Sequence, residues 1–385
     1  MKTTLIRALA LILVLAWPAA AWSGEAIFDG VERVVAVGDV HGSLDQARAI
    51  LAEAGLIDDD ENWSGGKTHL VFVGDLLDRG DDGREAVELA RRLQEQSRAA
   101  GGRVHVLMGN HEAMNLTRDL RYVSAGAYAD FAGGVNEKER KKQLKRYQQL
   151  RRSEGSRKEL EAAFAENFPP GFFARGRAMS AGGEIGEWLL GLPLAVKING
   201  VVFCHGGISP ALAVEGLDAL NRRNREELER WLDALAVLEE AGVVNPLMQL
   251  PDILGLARRI NEDPGVRVSE EVSKAAETIY AGKQYLALSS DGPLWHRDYA
   301  LKDAAEVEAT LRAVLETLEA HTMVIGHTPV ESGRVTSRFG GALLRADVAM
   351  WKDGGARAIE WVRGELRVVD AEDGSQQAPD PADGN

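Results

Sequence analysis

The chain has 385 residues, 45% of them hydrophobic and 27% charged, which is ordinary for a globular protein and enough for one large domain or two. A formal charge of −14 argues against a protein that wraps nucleic acid, but leaves room for a small phosphorylated substrate held at a local positive site. The single cysteine, Cys204, excludes an intrachain disulfide, so stability must come from the size of the core.

The first element reads as a targeting segment. Lys2 and Arg7 precede the apolar run "ALALILVLAW", and Ala19, Ala20 and Ala21 supply the small residues of a cleavage site. Residues 1–21 are therefore expected to be a secretory signal peptide. The run is too short to favour a membrane span, which needs about 20 apolar residues. No cysteine follows the cleavage point to carry a lipid. An exported protein, periplasmic or secreted and without a membrane anchor after cleavage, is expected.

Strand-type and helix-type segments then alternate: "RVVAVG", "SLDQARAILAEAG", "THLVFVG", "GREAVELARRLQEQ", "RVHVLMG". This β-α-β-α-β series predicts an α/β fold with a largely parallel sheet, whose ligand site lies at the carboxyl ends of the strands. Two mostly helical stretches follow, about 117–190 and 211–288. The first contains "EKERKKQLKRYQQLRRSEGSRKELE", expected to be one mixed-charge helix with either a solvated face or the role of a basic lid over an anionic substrate. Strand-like segments resume at "LAVKINGVVFC", "HTMVIG", "GALLRADV" and "ARAIEWVRGELRVVD", the last resembling a hairpin around Gly364. The catalytic unit is thus bounded at about 22–370, and the polar, Pro- and Gly-rich segment 371–385 is expected to be disordered.

Five short segments each end a strand-like run with groups able to hold a metal: "GDVHG" (38–42), "GDLLDRG" (74–80), "GNHE" (109–112), "CHGG" (204–207) and "GHT" (326–328). Aspartate supplies an anionic oxygen that can bridge cations, and imidazole prefers borderline transition metals. A histidine alone at a strand end is most often structural, but four such histidines together with Asp39, Asp75 and Asn110 make that reading improbable. Two competing motifs fail. Cys204 is not followed by the Cys-x5-Arg loop of a thiol phosphatase, because Pro210 occupies the arginine position. "HEAMN" is not the zinc-protease helix, because Asn115 replaces the second histidine.

In this order the five segments resemble the phosphoprotein phosphatase family of calcineurin-like metallophosphoesterases, over about Arg33 to Val348. The export signal and the "GHTP" ending are most similar to its bacterial Shewanella-like subgroup. The resemblance implies a β-sheet sandwich flanked by helices, with the helical stretches as insertions. It implies two divalent transition-metal ions, Mn, Fe or Zn, the first held by Asp39, His41 and Asp75, the second by Asp75 as a bridge with Asn110, His205 and His327. A water or hydroxide between the ions would attack the phosphoryl group in line. His111, held by Asp78, would protonate the leaving oxygen. Arg79 would bind phosphate oxygens, with Asn110 beside it. In "GPLWHRDY" (292–299), Arg297 is the candidate for a second phosphate-binding arginine, although Trp295-His296-Arg297 departs from the family's usual Leu-Trp-Ser-Asp and bears on substrate type. His296 has either a substrate contact or a structural role. Glu112 is expected to orient its loop, and His69, His105 and His321 to be structural.

The expected function is hydrolysis of phosphate monoesters, on a phosphorylated small molecule or a phosphoprotein, with no nucleic-acid partner. Two alternatives stand beside it: a dinucleoside-polyphosphate hydrolase or phosphodiesterase, and a catalytically silent binding protein.

Overall fold

Runs of valine, isoleucine and leucine without polar alternation make strands that are buried on both faces, and the strands Arg33–Val37, His69–Phe72, Val201–Cys204 and Thr322–Ile325 have that character. The computed structural model describes residues 25–352 and 354–381; the signal peptide expected over 1–21 lies outside them. In chain order the strands are β1 (Ile27–Phe28), β2 (Arg33–Val37), β3 (His69–Phe72), β4 (Arg103–Val106), β5 (Ala195–Ile198), β6 (Val201–Cys204) and β7 (Thr322–Ile325). They continue with β8 (Thr336–Arg338), β9 (Leu343–Arg345), β10 (Arg357–Val362), β11 (Glu365–Asp370), β12 (Gln376–Gln377) and β13 (Asp380–Pro381).

Among the described residues they form two sheets, a six-stranded one in the order β12-β11-β10-β2-β3-β4 and a seven-stranded one in the order β1-β5-β6-β7-β9-β8-β13. The parallel β2-β3-β4 core is the one anticipated from the alternating pattern. The hairpin β10–β11, turning at Gly364, adds to it antiparallel. Phe203 of β6 meets Trp361 of β10 edge-on across the sheets, with ring centroids 5.7 Å apart, and one continuous apolar cluster fills the space between. The result is an α/β sandwich of two sheets flanked by helices, as the resemblance implied.

Helices Leu44–Glu53 and Gly83–Ala99 connect β2 to β3 and β3 to β4. Each buries one apolar stripe, Leu44, Ala47, Ile50 and Leu51 in the first and Ala86, Val87, Ala90 and Leu93 in the second. In the second helical region Leu217–Glu240, Leu250–Glu262 and Glu270–Ala281 pack through Trp231, Ile253 and Ile279 into the main core. The first region has its own small core of Tyr147, Leu160, Phe164, Phe168 and Phe172. No helix among the described residues is long and apolar enough to cross a membrane.

Two expectations change. The mixed-charge segment is two helices, Glu137–Leu150 and Arg157–Asn167, not one. Ser156 starts the second with a capping box, its Oγ accepting from Glu159 N (3.3 Å) while the Glu159 carboxylate accepts from Ser156 N (2.8 Å), so Gly155 and Ser156 break the periodic run. The C-terminal segment, expected to be disordered, is ordered through Pro381: β12 pairs antiparallel with β11, and β13 pairs parallel with β8. Backbone hydrogen bonding to two open sheet edges supplies what its polar composition lacks.

Candidate active site

The carboxyl ends of β2, β3, β4, β6 and β7 converge on one point, and the loops leaving them approach too closely for side chains at the motif glycines. A Cβ on Gly109 would lie 2.1 Å from Asp75 Oδ1, and one on Gly326 would lie 2.2 Å from Asp39 Oδ1. The non-glycine residues beside them take up the bend. His41, Asp75, Asp78, Arg79 and His327 all have left-handed backbones, with φ of 49°, 52°, 68°, 68° and 63°. Such positions cost about 1–3 kcal/mol each and persist where the surrounding contacts over-determine them.

Those contacts start at Glu112. Its buried carboxylate accepts four backbone N–H groups, from Asp75 (2.8 Å), Leu76 (2.9 Å), Leu77 (3.2 Å) and Gly109 (2.9 Å), which clamps the loop after β3 to the loop after β4. Burial and the Asp75 carboxylate push Glu112 up to about 7, against the pull of those donors. Glu112→Gln turns an amide NH2 toward backbone donors. It is expected to cost about 3 kcal/mol of stability and to weaken metal binding roughly tenfold. Thermal denaturation of metal-free protein and a metal titration would read both, and an unchanged melting temperature would count against the clamp.

Three imidazoles are oriented for ligation. His41 Nδ1 donates to Leu77 O (2.9 Å) and His205 Nδ1 to Val73 O (2.9 Å), which turns each Nε2 toward Asp75 Oδ2, at 3.5 and 3.2 Å. At His205 burial is outweighed by the Asp75 carboxylate, which raises its pKa. His327 Nε2 is buried without a partner among the described residues. Burial pushes His41 down to about 4 and His327 down to about 2, so both are neutral at physiological pH. Asn110 Oδ1 lies 3.0 Å from His205 Nε2.

The carboxylates are crowded. Both oxygens of Asp39 accept from His327 N (3.1 and 3.0 Å), and the carboxylate of Asp347 lies beside it. Burial first, then the carboxylates of Asp347 and Asp75, holds Asp39 well above its usual range. Asp347 Oδ1 accepts from Ala349 N (3.0 Å), while its Oδ2 is buried and unsatisfied. Three buried carboxylates facing imidazole nitrogens form a mixed oxygen and nitrogen donor set that suits divalent transition ions. Two groups are compact enough to hold one ion each: His41, Asp75 and His111, and Asp75, His205 and His327.

His111 differs from the other imidazoles. Its Nδ1 lies 2.8 Å from Asp78 Oδ2, and its Nε2 points into the site 3.9 Å from Asp75 Oδ2. Burial alone would lower its pKa, but the Asp75 carboxylate and the Asp78 hydrogen bond outweigh burial and raise it. Asp78 is in turn held by Asn115 Nδ2 (2.9 Å) and faces Nη2 of Arg175 at 3.5 Å. Arg175 comes from helix Phe172–Ala178 of the first helical region, is 2% exposed, and lies over the Tyr128 ring.

At the rim, the Arg79 guanidinium is sandwiched between Tyr122 and Trp351, 5.0 and 4.5 Å from the ring centroids. The Tyr122 ring also lies 5.1 Å from that of His111. Arg297 lies near the same carboxylates, with Nη1 donating to His327 O (2.8 Å) and Thr328 Oγ1 (3.2 Å). His296 packs against Gly207 and the Tyr299 ring, a structural position. His69 and His105 pair with each other at 3.2 Å against Phe28, and His321 lies beside Asn199, all apart from this cluster. Burial pushes the Cys204 thiol up to about 12, so it is not a nucleophile.

All the site residues named from the sequence are brought together here. Asp347, Asn115, Tyr122, Arg175 and Trp351 were not among them. Asn115 had a signal, since it lies one helical turn after His111 on helix Asn110–Leu116. The other four depend on how distant loops meet.

A profile of the calcineurin-like phosphoesterases matches residues 32–252. Over 214 residues the chain is 32% identical to Shewanella-like protein phosphatase 2 of Arabidopsis thaliana, covering 54% of this chain and 53% of that one. Over 197 residues it is 26% identical to Shewanella-like protein phosphatase 1 of Plasmodium berghei, covering 51% and 45%. The chain thus spans about half the length of these two relatives. Among solved structures it is similar to the cold-active protein-tyrosine phosphatase of a psychrophilic Shewanella species, with a TM-score of 0.60 and 26% identity over 91% of this chain and 81% of that one.

Proposed function

As this chain belongs to the calcineurin-like phosphoesterase family, we propose that it is an exported phosphatase that hydrolyses phosphate monoesters, phosphoproteins among them, with two divalent metal ions. The observation that carries this reading is that one carboxylate, Asp75, belongs to both ion-sized ligand groups. Asp39, His41 and Asp75 would hold one ion, and Asp75, Asn110, His205 and His327 the other. Once bound, such ions supply Lewis acidity toward the phosphoryl oxygens and toward the attacking water.

The remaining work falls to the chain itself. Arg79, its guanidinium plane fixed by Tyr122 and Trp351, binds and orients the phosphate oxygens, and Arg297 binds them from the side of His327. His111 holds a proton on Nε2 for the leaving oxygen, while Asp78 keeps Nδ1–H in place. The phosphoprotein part draws support from relatives that are themselves named protein phosphatases. Export rests on the basic and apolar character of residues 1–21.

The test is a substrate panel on protein stripped of metal and reloaded with Mn, Fe or Zn. It would compare phosphotyrosine and phosphoserine peptides, p-nitrophenyl phosphate, a phosphodiester and a dinucleoside polyphosphate. Metal-dependent turnover of the monoesters at rates well above the diester and the dinucleotide is expected. A preference for either of the latter, or no turnover with any metal, would overturn the reading.

A further inference from the structure

Helix Glu137–Leu150, the turn after it and the start of helix Arg157–Asn167 carry an unusual excess of one sign: from Glu137 to Lys158 there are ten lysines and arginines against three glutamates, in a chain whose total charge is −14. Lys138, Lys141, Lys142 and Lys145 recur at helical spacing, Arg152 lies in the turn that follows, and all five are exposed. The ion pairs of this stretch are Arg151 with Glu154, and Glu139 with Arg177; those five cations have none among the described residues. Other helices of this chain neutralise their cations one turn away, as in Arg84 with Glu88, Arg225 with Glu229, Lys274 with Glu270 and Arg312 with Glu308. The bare stripe is therefore not the way this chain ordinarily solvates a helix.

The stripe is also firmly mounted. Tyr147, on the opposite face, packs edge-on against Phe164 (5.7 Å) and Phe168 (5.8 Å), and Phe168 packs against Phe172 (5.0 Å). Phe172 opens the helix that carries Arg175 to Asp78, so the stripe and the support of His111 belong to one packed unit.

We propose that this stripe docks the acidic flank of a phosphoprotein substrate, an aspartate- and glutamate-rich segment next to the phosphorylated residue; this rests on the phosphoprotein reading above. A membrane surface is a poorer fit. A helix that lies in a bilayer interface needs a free apolar face, and here that face is already packed on Phe164 and Phe168. A nucleic acid would have to lie along a protein that is negative over the rest of its length. A short acidic segment needs only the stripe.

The experiment compares two phosphopeptides with the same phosphorylated core, one with an acidic flank and one with a basic flank, on the metal-loaded enzyme and on the variant K138Q/K141Q/K142Q/K145Q. For the unmodified enzyme in dilute buffer, the acidic peptide is expected to have a KM about tenfold lower. The difference should collapse in 0.5 M salt (on the order of a few Å of screening length) and in the variant. Hydrolysis of p-nitrophenyl phosphate should be the same for both proteins. Equal KM values for the two peptides on the unmodified enzyme, or a preference that survives in the variant, would overturn the proposal. So would stripe-dependent sedimentation with phosphatidylserine vesicles in the absence of a peptide preference. Turnover of the small ester with neither peptide touched would instead remove the phosphoprotein reading, and the docking proposal with it.

Discussion

Asp75→Asn is expected to lose metal and activity together, with kcat/KM falling by at least about a thousandfold, because the charge stabilisation supplied by metal ions amounts to several kcal/mol. No other side chain belongs to both ligand groups. Its Oδ2 faces His41 and His205, and its Oδ1 accepts from His111 N (2.9 Å). An asparagine of the same size keeps one oxygen but removes the anion around which both groups are built. Burial disfavours the Asp75 charge, but His205, His111 and His41 outweigh burial and hold its pKa well below the usual carboxylate range, so the metal-free variant is expected to be less stable than the metal-free parent. Metal analysis, turnover and thermal denaturation of the same preparations would separate these effects. A variant that retained two ions per chain and full turnover would end the dinuclear reading.

His111→Asn should behave differently. The proposed acid does not serve as a ligand, so the variant should keep its metal while kcat falls about 10²–10⁴-fold. The loss should be largest for alkyl phosphates and smallest for p-nitrophenyl phosphate, whose leaving group needs no proton. This comparison decides a real ambiguity in the site. His41, Asp75 and His111 lie close enough together to share an ion, and a ligand histidine would also be expected to hold a carboxylate on its other nitrogen. Loss of metal in His111→Asn, with equal loss on every substrate, would assign His111 as a ligand and leave the reaction without an identified acid.

The five motifs were legible because each is local: a strand, a glycine and a donor within a few residues. Their meeting was legible because a β-α-β-α-β series brings successive strand ends to one edge. Asp347 was hidden for the opposite reason. It stands just past the short β9, and only the pairing of β9 between β7 and β8 brings it against Asp39, more than 300 positions earlier. Trp351 and Tyr122 flank Arg79 although they stand 229 positions apart in the chain, and no spacing announces that. The C-terminal strands were missed because their stability comes from sheet edges built elsewhere, not from their own composition. The division of the charged segment could have been read from Ser156 and Glu159, a capping box inside an apparently continuous helix.

Arg175 bears on what counts as a complete enzyme. Every motif of this chain lies outside the stretch from Ala125 to Leu190, so a shortened relative lacking that stretch would pass any motif inventory. It would lack the guanidinium that faces Asp78, leaving a buried carboxylate beside Asn115 and His111 alone. Without that cation Asp78 has one charged partner, His111, whose charge is spent when it gives up its proton. Among relatives of varying length, the presence of a buried cation behind this aspartate would therefore sort working hydrolases from inert look-alikes where the motifs alone do not.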